Sequence, residues 1–332
     1  MILKFFKSNG AGMIFFIPIL AIILWSNIFY ASKDAIFISS PYHMPAYQYF
    51  MRLIPNFIFS QILALFLIIS QAFYLVHINQ KYNFISHRTF LTSFLFIIIS
   101  STFLDLHYLH PVIIANIFVL ATIVQIFSGY KKTKRYKQSF NIGFLIALAG
   151  LFYFNANILM LFVFISFLVL HSFNWREWFI SLIGFITPYI FVIVIYFYTD
   201  NLNDFFILLK NIVHYHSPKL LHSFSSYFFI GVLTSLSILS IIRLSNTYSN
   251  NKVSTRNYFS LFVILLILIT LTFFLVPFAS IELIIIAAIP LSYLMANYYL
   301  SENRSWLKQI SFSLLLLSFI IFYIQDIWNI GA

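Results

Sequence analysis

Eleven apolar stretches, each close to one bilayer in length, occupy most of this 332-residue chain, and basic residues gather in every second gap between them. A helix needs about 20 mostly apolar residues to cross hydrocarbon, with about 17 as a practical minimum. Spans are therefore expected near 13–30, 56–77, 89–105, 111–129, 139–154, 157–172, 179–199, 226–243, 258–276, 282–300 and 310–328. The fifth and sixth are short and share the connection Asn155-Ala156-Asn157, which predicts a hairpin. The apolar run from Met13 to Tyr30 exceeds the ~7 to 15 residues of a cleavable leader core, so it reads as an uncleaved first helix.

With 62% hydrophobic and only 8% charged residues, against about a quarter charged in a soluble domain, no water-soluble surface can be built. The formal charge of +11 would point to nucleic acid in a soluble chain, but here the cations sit in short loops beside apolar runs, so no nucleic-acid partner is expected. Cysteine is absent, which excludes disulfides, thiolate metal sites and cysteine nucleophiles.

With the N-terminus in the cytoplasm and the C-terminus outside, fifteen of the nineteen basic residues face inward, leaving only Lys33, Arg52, Lys210 and Lys219 outside. Lys131 to Lys137 places five cations in seven residues; this run and the turn Asn174-Trp175-Arg176-Glu177-Trp178 read as orientation and anchoring signals. Asp34, Asp105, Asp200, Asp204, Glu282 and Asp326 fall outside, as do His43, His107, His110, His214, His216 and His222. Chemistry, if present, belongs on the outer face.

The first outer loop, about 31–55, carries Tyr42, Met44, Tyr47, Phe50, Met51 and Ile54 at three-and-four spacing. The fourth, about 200–225, carries Leu202, Phe205, Phe206, Leu209, Ile212 and Val213 on one helical face. Both predict helices lying in the membrane interface. Asp34 and Asp105 stand just beyond the first and third spans, where a carboxylate can take a proton from an acceptor hydroxyl or hold a divalent cation. His107 and His110 are three apart, and His214 and His216, with Lys219, offer donated hydrogen bonds and charge to a phosphate. Spacing alone builds no histidine metal centre here. Pro188 and Pro290 sit inside spans and permit bends, while the span centres hold essentially no charge, which disfavours ion-coupled transport.

The stretch from Asp105 to Asp200, with His110-Pro111, Ala115-Asn116, the basic turn, Gly143 to Phe154 and Phe173 to Trp178, resembles an uncharacterised family of bacterial inner-membrane proteins. The layout is also similar to the C-type glycosyltransferases, membrane enzymes that use polyprenyl-phosphate-linked sugars. Asp34, the 42–54 segment, Asp105 and the 200–225 loop occupy the positions of that superfamily's first-loop acid, interfacial helix, second acid and longer outer loop. Where those enzymes often carry a paired acid, Asp34 is followed by Ala35 and Ile36.

The expected fold is thus an all-α, polytopic transmembrane bundle forming one integral membrane domain over 1–332. Residues 1–200 correspond to a seven-helix glycosyltransferase-like module, and 201–332 add the interfacial loop and four helices. The resemblance implies a bacterial inner-membrane protein acting at the periplasmic face on a polyprenyl-phosphate sugar, with Asp34 and Asp105 catalytic and His107, His110, His214, His216 and Lys219 near phosphate. The alternative is a non-catalytic subunit of a cell-envelope assembly, with a membrane-protein partner to cover the aromatic surface that 43 phenylalanines imply. On the first reading, Asp34→Asn combined with Asp105→Asn abolishes the cellular function; an untouched phenotype would count against it.

Overall fold

The computed structural model describes residues 12–26, 43–85, 89–130, 135–170, 174–215, 224–247, 252–301 and 305–331. These form thirteen α-helices and, among the described residues, no strand. In chain order they are α1 (Gly12–Leu24), α2 (Pro45–Arg52), α3 (Phe57–Tyr82), α4 (Leu91–Ser100), α5 (Pro111–Ser128), α6 (Tyr136–Phe152), α7 (Leu159–Leu170), α8 (Trp175–Tyr198), α9 (Leu202–His214), α10 (Phe224–Asn246), α11 (Val253–Leu275), α12 (Leu283–Leu300) and α13 (Ser305–Gly331).

Each of the eleven apolar stretches contains a helix, but they are not equal. Among the described residues seven, α3, α5, α8, α10, α11, α12 and α13, are long and apolar enough to cross a membrane. The others have 13, 10, 17 and 12 residues in α1, α4, α6 and α7. The stretch expected to span 89–105 shows why length departs from the sequence pattern. Its helix α4 rises only about 15 Å, half the hydrocarbon thickness, and every one of its residues is buried. Backbone that stops short within the membrane is tolerated when protein rather than lipid surrounds it. Here α3, α12 and α1 do so.

The centre of the bundle is α4, α5 and α12, and polar side chains tie it together where lipid offers no hydrophobic drive between helices. Gln71 Nε2 donates to the Ile113 carbonyl (2.8 Å), Asn116 Nδ2 donates to Gln71 Oε1 (2.9 Å) and to the Ile285 carbonyl (3.4 Å), and Tyr293 donates to the Leu75 carbonyl (2.7 Å). Ser93 donates to the Ala72 carbonyl at 2.6 Å, joining α4 to α3. By contrast α8 buries only Glu177, Ser181, Gly184 and Pro188 along its 24 residues. Its remaining surface of phenylalanine, isoleucine and valine is what lipid solvates.

That narrow buried stripe packs on α6 with almost no side chain between the backbones. A Cβ on Gly143 would run into the Ser181 carbonyl, and one on Gly184 into the Phe140 carbonyl. Small residues at four-residue spacing let membrane helices approach in this way. The predicted hairpin is present: α6 leads through a 3-10 turn, Phe154–Ile158, into α7. Tyr189 of α8 donates to Asn157 Oδ1 in that turn at 2.6 Å. Helices are also present over the two outer-loop segments, as α2 and α9. Phe205 and Ile212 of α9 are buried while Phe206 and Val213 are exposed, so the apolar residues divide between protein and surroundings.

Gly143→Leu and Gly184→Leu should each destabilise the detergent-solubilised protein by more than about 2 kcal/mol, because overpacking forces the two backbones apart. Gly231→Ala, where nothing lies within 4 Å of the new methyl group, should leave the melting temperature unchanged or slightly raised. Equal melting temperatures for all three would contradict the close seam.

Candidate functional site

Proline dictates the first half of the site. His110 precedes Pro111, so its backbone is held extended (φ −72°, ψ 141°) while the proline takes the first position of α5. The imidazole then turns back, and its Nδ1 accepts the Val112 amide at 3.2 Å. With Nδ1 an acceptor, the ring proton sits on Nε2, which lies 3.0 Å from Glu282 Oε1.

Glu282 supplies the second half. It stands immediately before α12, where the positive end of the helix dipole favours a carboxylate. His110 is 2% exposed and Glu282 16%, so the carboxylate alone reaches an open space. Its pKa is set by opposing influences. Burial, the largest, pushes it up; the neighbouring His110 with its hydrogen bond, and hydrogen bonds from Ser280 and Tyr153, outweigh burial and hold it below the usual value. The site therefore keeps an ionised carboxylate. Tyr153 is in turn placed by Asn155, whose Nδ2 donates to the phenol oxygen at 2.9 Å. Burial, with the Glu282 charge behind it, drives the Tyr153 phenol well up, so it remains a donor.

Around this pair lies a small recess of about 40 Å³, open on one side. Its walls come from five separate connections: His43 and Met44 before α2, His110 and Pro111 before α5, Phe152 to Asn155 after α6, Ile212 and Tyr215 at the end of α9, and Phe278, Ser280 and Glu282 before α12. Met44, Leu151 and Ile212 pack together, so the start of α2 and the end of α9 share one wall. Tyr47 anchors α2 by donating to the Leu109 carbonyl at 2.7 Å, beside His110. His43 rests against the Tyr47 ring, centroids 4.8 Å apart. Burial lowers its pKa to about 4, helped by His110 and opposed by Glu282, so the ring is neutral near pH 7.

The sequence-predicted residues are distributed unevenly. His110 lines the recess. His107 does not: it is 2% exposed, its ring is stacked on Trp25 at 4.6 Å, and its Nε2 donates to the Ser101 carbonyl at 3.0 Å. The backbone of Asp105 lies in a 3-10 turn, Leu104–Leu106, packed on α13, where the Leu104 amide donates to Asp326 Oδ2 at 3.2 Å; its side chain lies outside the described residues. His214 is exposed and turns back on its own helix, Nδ1 lying 2.8 Å from the Lys210 carbonyl. Asp34, His216 and Lys219 lie outside the described residues. Among the described residues no group of three or more metal-ligating side chains occurs. Sequence reasoning missed Glu282 as a site residue, together with Tyr153, Asn155 and Ser280. Its one available signal was that Glu282 is a lone acid directly before an apolar run.

Fold and site together define a multi-pass helical membrane protein with a carboxylate-bearing recess at one end of its bundle. The chain belongs to a family of unknown function, DUF6427, which matches residues 31–330. No curated protein and no solved structure matches it.

The histidines give the protein a pH dependence of definite sign. His43 and His107 take up protons in the unfolded chain near pH 6.5 but in the folded protein only near 4. Between those values the unfolded state binds more protons, so stability falls as pH is lowered, by up to about 1.4 kcal/mol per pH unit for each group. Glu282 acts in the same sense further down: its contribution is complete above the ordinary carboxyl value and is lost as pH falls through the lowered one. The melting temperature should therefore drop between pH 7 and 4. His107→Gln, which keeps a donor for the Ser101 carbonyl, should make the drop shallower; an unchanged slope would refute the assignment.

Proposed function

We propose that the recess binds the sugar-phosphate head of a polyprenyl-linked donor, and that the protein is a glycosyltransferase-like enzyme working at the periplasmic face of the bacterial inner membrane. The observation that carries this reading is the convergence of five connections on one ionised carboxylate set among aromatic rings. Carboxylates accept hydrogen bonds from sugar hydroxyls, and ring faces pack against the apolar faces of a sugar. A recess beside membrane-spanning helices suits a substrate with a polar head and a lipid tail. The bias of basic residues toward the other loops supports reading this end of the bundle as the outer one.

In this reading the leading role passes from Asp34 and Asp105 to Glu282. Glycosyl transfer develops positive charge at the anomeric carbon, and a fixed carboxylate held ionised by three donors balances that charge without reorganisation. The neutral His43 ring accepts the proton of the acceptor hydroxyl, and the phosphate leaves with the lipid. Asp34 and Asp105, read from the sequence as acids of the outer loops, are of the kind that can hold a divalent cation for a departing phosphate.

Purified protein should bind a polyprenyl-phosphate sugar, and Glu282→Gln should weaken binding at least tenfold while leaving the protein monodisperse. His43→Gln should retain binding and lose transfer. A wild-type protein that ignores the lipid-linked sugar, or a Glu282→Gln variant that binds it equally well, would sink the proposal. Stable co-purification with a second membrane protein, with Glu282→Gln neutral, would favour the envelope-subunit alternative.

A further inference from the structure

The recess is far smaller than the head group assigned to it. Its volume of about 40 Å³ is room for roughly three waters at about 10 to 15 Å³ each, whereas ligand pockets run from about 300 Å³ upward. A substrate can enter only if one wall gives way. Four of the five connections around it are tied together by polar contacts. His110 reaches Glu282, Tyr153 and Ser280 hydrogen-bond to the same carboxylate, and Tyr47 fastens the segment of His43 and Met44 to the Leu109 carbonyl.

The fifth wall, the end of α9, is attached differently. Of the 13 residues of α9 only Phe205 and Ile212 are buried. Phe205 lies on the Tyr196 ring, centroids 5.2 Å apart, and Ile212 packs with Met44 and Leu151. Apolar contacts of this kind are non-directional and fix no geometry. The opposite face carries Phe206, Ile207 and Val213, all exposed, around Lys210, whose stem can lie along lipid while its ammonium reaches water. Lipid is as good a solvent for such a helix as protein, so displacing α9 sideways forfeits little burial. The joint that carries it is short. The Asn201 amide donates to the Tyr196 carbonyl at 3.0 Å and the Asp200 amide to the Phe197 carbonyl at 3.2 Å. With Asp200 in the left-handed region (φ 55°), this pair of bonds closes the end of α8. Since α9 starts at Leu202, rotation at Asn201 swings it as a rigid body and leaves that cap intact.

We propose that α9 is a gate. It pivots at Asn201 away from Met44 and Leu151 into the surrounding lipid, and the recess that carries Glu282 then opens toward the membrane, the side from which a lipid-borne head group arrives. The structure described is the closed state. This inference rests on reading the recess as a substrate site, and it is indifferent to which sugar the substrate carries.

Because the chain has no cysteine, an introduced thiol reports on one place. Full-length Ser280→Cys protein in lipid nanodiscs is treated with a maleimide too large for the closed recess, with no donor present, and labelling is followed by mass. Adding Phe205→Ala should speed labelling at least tenfold. Adding Phe262→Ala, a core change in α11, should not, which separates gate opening from global unfolding. Equal acceleration by both, or no labelling in the Phe205→Ala background, overturns the gate. A second measurement covers the case in which Ser280→Cys does not fold. Nitroxide labels at Lys210→Cys on α9 and Leu161→Cys on α7, both exposed positions, should give two distances by pulsed electron paramagnetic resonance, the second gaining weight with Phe205→Ala. A single distance unmoved by that substitution also overturns the gate. If wild-type protein binds no polyprenyl-phosphate sugar while labelling and distances behave as expected, the sugar reading falls and the gate stands.

Discussion

A charged carboxylate placed where many surrounding atoms are apolar is costly to misplace, and the geometry at its end of the bundle follows from that. Glu282 stays ionised because donors reach it from His110 at the start of α5, from Tyr153 at the end of α6 and from Ser280 just ahead of it. Each donor is itself constrained: His110 by the Val112 amide, Tyr153 by Asn155. Removing one partner leaves a buried charge unmatched, which costs more than the pair contributes. The helix starts of α5 and α12 are therefore tied to one another through a charge, while the apolar packing below them tolerates adjustment.

Where charge is absent, backbone proximity takes over. Within lipid, two apolar helices gain little from meeting, since hydrocarbon tails are as good a solvent as leucine. The contact of α8 with α6 depends instead on Gly143 and Gly184, which let carbonyls nest where a side chain would stand. At the centre, Gln71 and Asn116 do the equivalent by hydrogen bonding across α3, α5 and α12. The result is a bundle whose specificity lies in a few small or polar residues among many interchangeable apolar ones.

That distribution explains what was legible in the sequence. Helix positions followed from apolar runs, and α2 and α9 from three-and-four spacing, because both patterns are local. His110-Pro111 announced a helix start by the same logic. The partnership of His110 with Glu282 spans 172 positions and leaves no periodic trace, so the acid looked like any other at a helix end. Arg135 likewise was hidden in a run of five cations whose bulk property, net charge, masked its pairing with Glu177. Apolarity alone also could not separate a helix that crosses lipid from one, like α4, that other helices enclose.

The enclosure of α4 also bears on how the chain enters a membrane. Ten residues leave a translocation channel without the length to settle as a span. The partner that covers α4 most closely, α12, begins at Leu283, nearly two hundred residues later. Until that segment has been synthesised, α4 has only α3 and α1 to shield its backbone ends. Biogenesis of this protein is thus non-sequential at its centre: the first half of the bundle must hold an unfinished interior open and wait for the last quarter of the polypeptide to close it.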